Sequence, residues 1–235
     1  MYIAAAMTPD PLCLHPETSL LEVREYFPGI RFRHFPVTDA GGRLVGMVSD
    51  RDLRSAFPST SLNPLPRLDQ LARLGEVRVE SIMSRPPVTL PLDATLDDAL
   101  LLFDRHSIGA LPVVDHDMNL VGIITVRDVL GAYRRLFGIG GAGSSLVEVL
   151  DDGRPNLMSR IAAALDACGI VCTRLVRADR AADPRGIPGT TYARVQTYNI
   201  HAVHEALRAA GLETAHRKPP SLLQDPSSPE GDSSP

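Results

Sequence analysis

Gly46-Met-Val-Ser-Asp-Arg-Asp52 and, 76 positions downstream, Gly122-Ile-Ile-Thr-Val-Arg-Asp128 share one pattern: glycine, two apolar residues, a hydroxyl residue, two variable positions, aspartate. The same offset, without a gap, sets Met7 on Met83, Leu20 on Leu96, Phe27 on Phe103, Pro36-Val37 on Pro112-Val113 and Asp39 on Asp115. Self-similarity at a fixed spacing is the mark of one supersecondary unit used twice. The first half of the chain therefore reads as two copies of a single fold element.

Each copy reads as an extended lead-in, a helix, two short strands joined by a turn, and a second helix. In the second copy Thr95-x-x-Asp98 has the form of a capping box. Leu96, Ala99, Leu100 and Phe103 follow it at i, i+3, i+4 and i+7, which predicts an amphipathic helix. Leu111-Pro-Val-Val114 and Leu120-Val-Gly-Ile-Ile124 are short apolar, β-branched runs separated by the polar turn Asp115-His-Asp-Met-Asn119. The first copy repeats this with Phe35-Pro-Val37, the turn Asp39-Ala-Gly-Gly42 and Leu44-Val-Gly-Met-Val48. A strand pair with helices on one side buries only one face, so the two copies are expected to pack sheet against sheet.

On these residues the chain resembles tandem CBS-domain proteins. The two heptapeptides match the family pattern of Gly, two apolar residues, Ser or Thr, two variable residues and Asp. Phe35-Pro36-Val37 and Leu111-Pro112-Val113 match its first strand. The resemblance covers about residues 1–136 and implies a regulatory cleft for an adenine nucleotide: AMP, ADP or ATP, with NAD and S-adenosylmethionine as the wider set. A hydroxyl residue leading from a strand into a helix sits with free backbone N–H groups where phosphate oxygens are stabilised. An aspartate one turn later can accept both hydroxyls of a ribose. These roles fall on Ser49 with Asp52 and on Thr125 with Asp128. Leu12-Cys-Leu14 and Pro87-Val-Thr-Leu90 would bracket the base. Ser-x-x-Asp and Thr-x-x-Asp are equally capping boxes, and capping alone would justify both at this spacing.

The copies differ ahead of the first strand, where Arg31-Phe-Arg-His34 stands against Ser107-Ile-Gly-Ala110. In related proteins basic residues here reach phosphates, so Arg33 and His34 join the candidate set, with a solvated charge cluster as the alternative. Arg51 and Arg127 complete it, though surface exposure suits each better. The two sites are expected to be unequal.

Beyond the glycine-rich stretch 137–145, read as a flexible hinge, the 76-residue repeat disappears. Leu146–Leu150, Ile170–Val176 and Thr190–Tyr198 read as strands, and Leu157–Ala167 and Ile200–Ala210 as helices, a β-α-β-β-α order that suggests a ferredoxin-like half, closed by Glu213-Thr-Ala215. Leu150-Asp-Asp-Gly-Arg-Pro-Asn-Leu157 lies near the Asp-Arg-Pro-Gly-x-Leu turn of ACT domains, which this segment resembles. Asn156 stands where that family has glycine, and asparagine tolerates the left-handed backbone. The resemblance implies a dimerisation module with an amino acid as a further ligand, pairing being the stronger expectation. Asp151 and Asp152 read otherwise as a solvated turn.

The expected fold class is thus α/β (α+β): a tandem CBS pair with a C-terminal ferredoxin-like ACT domain. Its segments are repeat 1 (1–60), a linker (61–76), repeat 2 (77–136), the hinge (137–145), the ACT-like domain (146–216) and a disordered Pro/Ser/acid tail (217–235). Two CBS repeats followed by an ACT-like domain resemble the acetoin-utilisation B (AcuB-type) family, which implies a homodimeric regulator with a protein target still to be identified.

Composition narrows the classes further. With 44% apolar and 22% charged residues the chain is expected to be globular, and aromatics at 5% with no Trp make its core aliphatic. A net charge of −4 gives no overall attraction to nucleic acid or anionic lipid. No apolar run approaches the roughly 20 residues of a membrane span, and Met1–Met7 lacks a basic start, so a cytoplasmic protein is expected. Cys13, Cys168 and Cys172 form no Cys-x-x-Cys pair and read as buried apolar cysteines, with no metal site. No Gly-x-Ser-x-Gly, His-Glu-x-x-His or P-loop is present, and His116, His201 and His204 have ordinary turn and helix settings, so no enzyme is expected. The remaining alternative is a structural dimerisation module with an empty cleft.

Overall fold

The computed structural model describes residues 1–26, 33–56, 68–178 and 189–215. Phe27, Arg31 and the tail 217–235 lie outside the described residues. The chain divides into two compact units, Met1–Tyr133 and Arg134 onward.

Unit 1 opens with a 3₁₀ turn at Ile3–Ala5 and the short strand β1 (Thr8–Pro9), then runs through α1 (Leu20–Tyr26), β2 (His34–Thr38), β3 (Leu44–Ser49), α2 (Asp50–Ala56) and α3 (Leu68–Glu76). A second 3₁₀ turn at Val79–Ser81 opens the other copy: β4 (Leu90–Pro91), α4 (Leu96–His106), β5 (Ala110–Val114), β6 (Leu120–Thr125) and α5 (Val126–Leu136). The hairpins β2–β3 and β5–β6 have the same register: Pro36 faces Met47 as Pro112 faces Ile123, and each pair shifts at its far end. Phe35 and Val37 face one core, and Leu111 and Val113 the other. Pro36, Pro112 and Val114 alternate to the opposite face and are buried too, as sheets covered on both sides require.

The lead-in segments exchange between the copies. Thr8 pairs with Ile123 of the second copy and Ile3 is fully buried in that copy's core. In return Ser84 bridges Met47, and Val79, Ile82 and Met83 pack in the first copy's core. Two glycines make this approach feasible. A Cβ at Gly46 would stand 2.6 Å from Met83 Sδ, and one at Gly122 would stand 2.7 Å from Met7 Sδ and 3.1 Å from the Thr8 carbonyl oxygen. The copies also join at their hairpin tips, where Leu44 N–H donates to Met118 O (2.9 Å) and Leu120 N–H to Gly42 O (3.2 Å).

Part of the stretch read as a linker is helical. In α3 Leu74 is 2% exposed and belongs to the first core, and Leu20 N–H donates to Val77 O just beyond the helix. The expected capping box at Thr95/Asp98 is present, and a matching one opens α1, where Ser19 N–H and Oγ–H both donate to Glu22 Oε2 (2.7 and 2.8 Å).

Unit 2 contains β7 (Ser144–Leu150), α6 (Leu157–Ala167), β8 (Cys172–Ala178), β9 (Thr190–Gln196) and α7 (Ile200–Ala209). Its sheet has the order β7-β9-β8, all antiparallel, and Val149 bridges Thr214 antiparallel on the free side of β7. This is the ferredoxin-like arrangement, closed at Glu213–Ala215 by Leu150 N–H to Glu213 O (2.8 Å) and Ala215 N–H to Glu148 O (2.9 Å). Its core, with Val147, Ile161, Leu165, Val195 and Leu207, is aliphatic. Asn156 takes the left-handed backbone at φ 59° ahead of α6.

The glycine-rich stretch is more tightly bonded than a flexible hinge would be. Ser144 Oγ–H donates to Gly138 O (2.9 Å), Ser144 N–H to Gly141 O (3.0 Å), and the Gln196 amide to Ala142 O. The cysteines also differ from expectation: Cys168 is exposed, and Cys13 and Cys172 are half-buried, Cys172 packing against the edge of the unit 2 core. No helix among the described residues is long and apolar enough to cross a membrane.

Candidate functional site

Ser49 ends β3 and Thr125 ends β6, so each hydroxyl stands where a strand turns into a helix. Both are capping boxes in full. Ser49 N–H and Oγ–H donate to Asp52 Oδ2 (2.8 and 2.6 Å), and Asp52 N–H returns to Ser49 Oγ (3.3 Å). Thr125 N–H and Oγ1–H donate to Asp128 Oδ2 (2.9 and 2.6 Å), and Asp128 N–H returns to Thr125 Oγ1 (3.3 Å). The carboxylates are thus turned onto their own helix ends. Among the described residues the second oxygen, Oδ1, of each takes no hydrogen bond, and both side chains are half-buried. In this arrangement Oδ2 of each aspartate is engaged in capping, and Oδ1 is the acceptor left over.

The residues ahead of the first strand of each copy meet. His34 pairs in register with Ser49, and Ala110 with Thr125. Asp50 N–H donates to Arg33 O (2.7 Å) as Val126 N–H donates to Gly109 O (3.2 Å), so the two strand-to-helix junctions are built alike. Across the copies, a Cβ at Gly109 would lie 3.2 Å from His34 Cε1 and 3.3 Å from Nε2; the missing side chain is what admits the imidazole. Burial, then the neighbouring Arg33 charge, pushes the His34 imidazole below its ordinary pKa, against the opposing pull of Asp52 and Asp50. His34, Asp52, Ser49 and Gly109 form one polar cluster between the copies.

The other expectations divide. Arg33 is exposed beside His34; Arg51 and Arg127 are exposed, on the first turns of α2 and α5. Leu14 bridges Val37 and Leu90 pairs with Val113, so each lies beside its own copy's first strand. Leu90 is 2% exposed inside the second core, which removes it from the walls of a base pocket, while Leu12 is exposed. Gly109 carried no signal in the sequence beyond standing where the first copy has arginine.

In unit 2 the acidic turn before α6 is ion-paired, not simply solvated. Asp151 Oδ2 accepts from Arg177 (2.6 Å), and both oxygens of Asp152 accept from Arg160 (3.1 and 2.8 Å), which holds Asp152 at about 2. His116 and His201 are exposed, and His204 Nδ1 lies 2.8 Å from Thr214 Oγ1, tying α7 to the closing strand. Among the described residues no cluster of His, Cys, Asp or Glu could hold a metal ion.

The CBS-domain family matches residues 3–59 and 79–135, so the first half of the chain is a tandem pair of CBS domains. A CBS domain-containing protein of Dictyostelium discoideum is 39% identical over 95 residues, 40% of this chain and 65% of that protein. The inosine-5'-monophosphate dehydrogenase of Mycobacterium leprae is 32% identical over 124 residues, 53% of this chain and 21% of the enzyme. The chain thus spans less than two thirds of these relatives. Among solved structures, CBSX2 in complex with AMP is 28% identical with a TM-score of 0.48, covering 58% of this chain and 98% of that one. A Vibrio cholerae structure described as an acetoin utilization protein (AcuB) is 29% identical with a TM-score of 0.48, covering 59% of this chain and 94% of that one.

Proposed function

We propose that the CBS pair is a non-catalytic sensor for an adenine nucleotide, AMP, ADP or ATP before NAD or S-adenosylmethionine, with Asp52 and Asp128 offering Oδ1 to ribose hydroxyls. The observation that carries this reading is the contact of His34 with Gly109. It brings together the two strand-to-helix junctions, each with a half-buried carboxylate that still has an acceptor to give. Arg33 and His34 line only the first junction, where cations suit phosphate oxygens; Gly109 and Ala110 leave the second uncharged. The sites are accordingly unequal. Arg51 and Arg127, both exposed, serve as outer contacts at most.

The ferredoxin-like unit is assigned the role of an ACT-like pairing module that joins two copies in a cytoplasmic homodimer, with an amino acid as a secondary ligand. In this respect the protein is AcuB-like, and its output is a partner protein that reads the nucleotide state.

One observation favours a purely structural module. The boxes at Ser19/Glu22 and Thr95/Asp98 have the same geometry as those at Ser49/Asp52 and Thr125/Asp128, so capping alone accounts for the residues. A thermal-shift panel of AMP, ADP, ATP, NAD and S-adenosylmethionine on the full chain decides between them. A ligand bound only by the native state adds about 2.7 kcal/mol at a hundredfold excess over its Kd. A rise with at least one adenine nucleotide supports the sensor; flat curves with all five leave the structural module.

A further inference from the structure

The sheet of unit 2 packs one face on its helices, and on the other Leu146 and Val176 are exposed among the described residues. Val147, Val149, Ala193 and Val195 point into the core. By alternation Leu146, Arg174, Val176, Tyr192 and Arg194 share the opposite face, and the register sets Leu146 and Arg174 on either side of Arg194 and Val176 beside Tyr192. Phe137 and Ile139 complete the wall of a cleft of about 200 Å³ over these residues. Among the described residues its lining is apolar apart from the two guanidinium groups and the Tyr192 hydroxyl, and Leu146 and Ile139 are about half exposed.

The two arginines are held in place by neutral groups. Arg174 Nε–H donates to Leu136 O (2.5 Å) and an Nη1–H to Thr173 O (3.5 Å), and an Arg194 Nη1–H donates to Ser144 Oγ (3.2 Å). The turn between Phe137 and Ile139 lies against both: a Cβ at Gly138 would stand 3.3 Å from Arg194 Cδ and 3.6 Å from Arg174 Cζ. Among the described residues neither guanidinium forms a salt bridge with a carboxylate, although every acidic residue of the turn before α6 has its own arginine. Like charges directly opposite on neighbouring strands repel. Two adjacent cations at the mouth of an apolar cleft are therefore stabilised by one anion that also fills the cleft.

We propose that this face binds a small monocarboxylate with an apolar body, its carboxylate between Arg174 and Arg194 and its hydrocarbon against Leu146, Val176 and Phe137. Guanidinium groups match a carboxylate in a planar, paired geometry, and the apolar wall disfavours inorganic phosphate. Among the described residues the lining has no carboxylate to receive an ammonium group, which sets this ligand apart from an amino acid. The site lies wholly within unit 2 and does not depend on the nucleotide reading.

The test is isothermal titration of the full chain with 3-phenylpropionate and 4-methylpentanoate, each against its alcohol and its α-amino acid counterpart. The acids are expected to bind at least tenfold more tightly than the alcohols and the amino acids, and more weakly as salt rises. Arg174→Gln and Arg194→Gln should each lose about tenfold or more and Leu146→Asp should abolish binding, all three keeping the native circular dichroism spectrum and the native response to AMP. Equal binding of acid and alcohol, tighter binding of the amino acids, or no binding of either acid at low-millimolar concentration overturns the proposal, and the comparison with the alcohols needs no variant.

Discussion

Asp128→Ala and Asp98→Ala break the same kind of bond in the same CBS domain, yet the proposed nucleotide site involves only the first. Each aspartate accepts from the N–H and the hydroxyl of the residue three before it, at 2.9 and 2.6 Å for Asp128 and 2.8 and 2.6 Å for Asp98. Removing Asp128 should lower stability by about 1 kcal/mol, the usual cost of a lost helix cap, and Asp98→Ala should show a helix-end loss of the same kind. If Oδ1 of Asp128 holds a ribose hydroxyl, its loss adds about 1.5–3 kcal/mol to binding, roughly a 10- to 150-fold rise in Kd. Asp98→Ala should leave Kd where it was. Asp52→Ala makes the same comparison with Glu22→Ala in the first domain. The assay is titration calorimetry with AMP beside urea unfolding of each variant. Native affinity in Asp52→Ala, Asp128→Ala and their double variant, or an equal loss in Asp98→Ala, would refute the ribose role and reduce all four boxes to caps.

Gly122→Ala drives a methyl group to within 3.1 Å of the Thr8 carbonyl and onto Met7, so unfolding should show a loss of about 1–3 kcal/mol, whereas Gly75→Ala in α3, with only Leu21 Cδ2 at 3.8 Å, should gain up to about 1 kcal/mol. Because the Asp152 carboxyl is held down at about 2, its contribution is complete above the unfolded value of about 3.9 and is lost as pH falls from there towards 2; Arg160→Gln should flatten that acid limb of the stability curve. The His34 imidazole is shifted down by burial, so its contribution is whole above about pH 6.5 and declines as pH falls below it. In His34→Asn, urea midpoints measured between pH 5 and 7 should lose that slope.

Much of this architecture is legible in the chain because short-range rules govern it. The duplication, the hairpins with their polar turns, and the box at Thr95/Asp98 follow from spacing alone. The box at Ser19/Glu22 was available at the same offset but is spelled with glutamate. Long-range choices leave no such mark. Nothing near Met7 or Met83 says that each will cross to the other copy's glycine, since the pattern fixes a methionine and a glycine but not which pairs with which. Leu74 was hidden because proline- and serine-rich neighbours dominate its window while the helix it sits on packs against the distant α1. At the candidate site the residues were legible, but their orientation was not: Ser-x-x-Asp serves a cap and a ligand equally, and only coordinates show that Oδ2 is used and Oδ1 is not.

The exchange of lead-in segments bears on how two such sites can act together. β1 is bonded to β6 at Ile123 and Gly122, immediately before the Thr125 box, and Ser84 is bonded to Met47, immediately before the Ser49 box. Each candidate site is thus braced by a segment that arrives from the other copy and whose neighbours, Ile3 or Val79, are buried in the same core as the helix that follows. Neither copy can loosen its junction without releasing part of its partner. That bracing is symmetric, while the junctions are not: imidazole and guanidinium stand at one, glycine and alanine at the other. If both junctions bind nucleotide as proposed, coupling between them is expected from what the duplication kept, and a difference in which nucleotide each prefers from the few positions where the copies diverged.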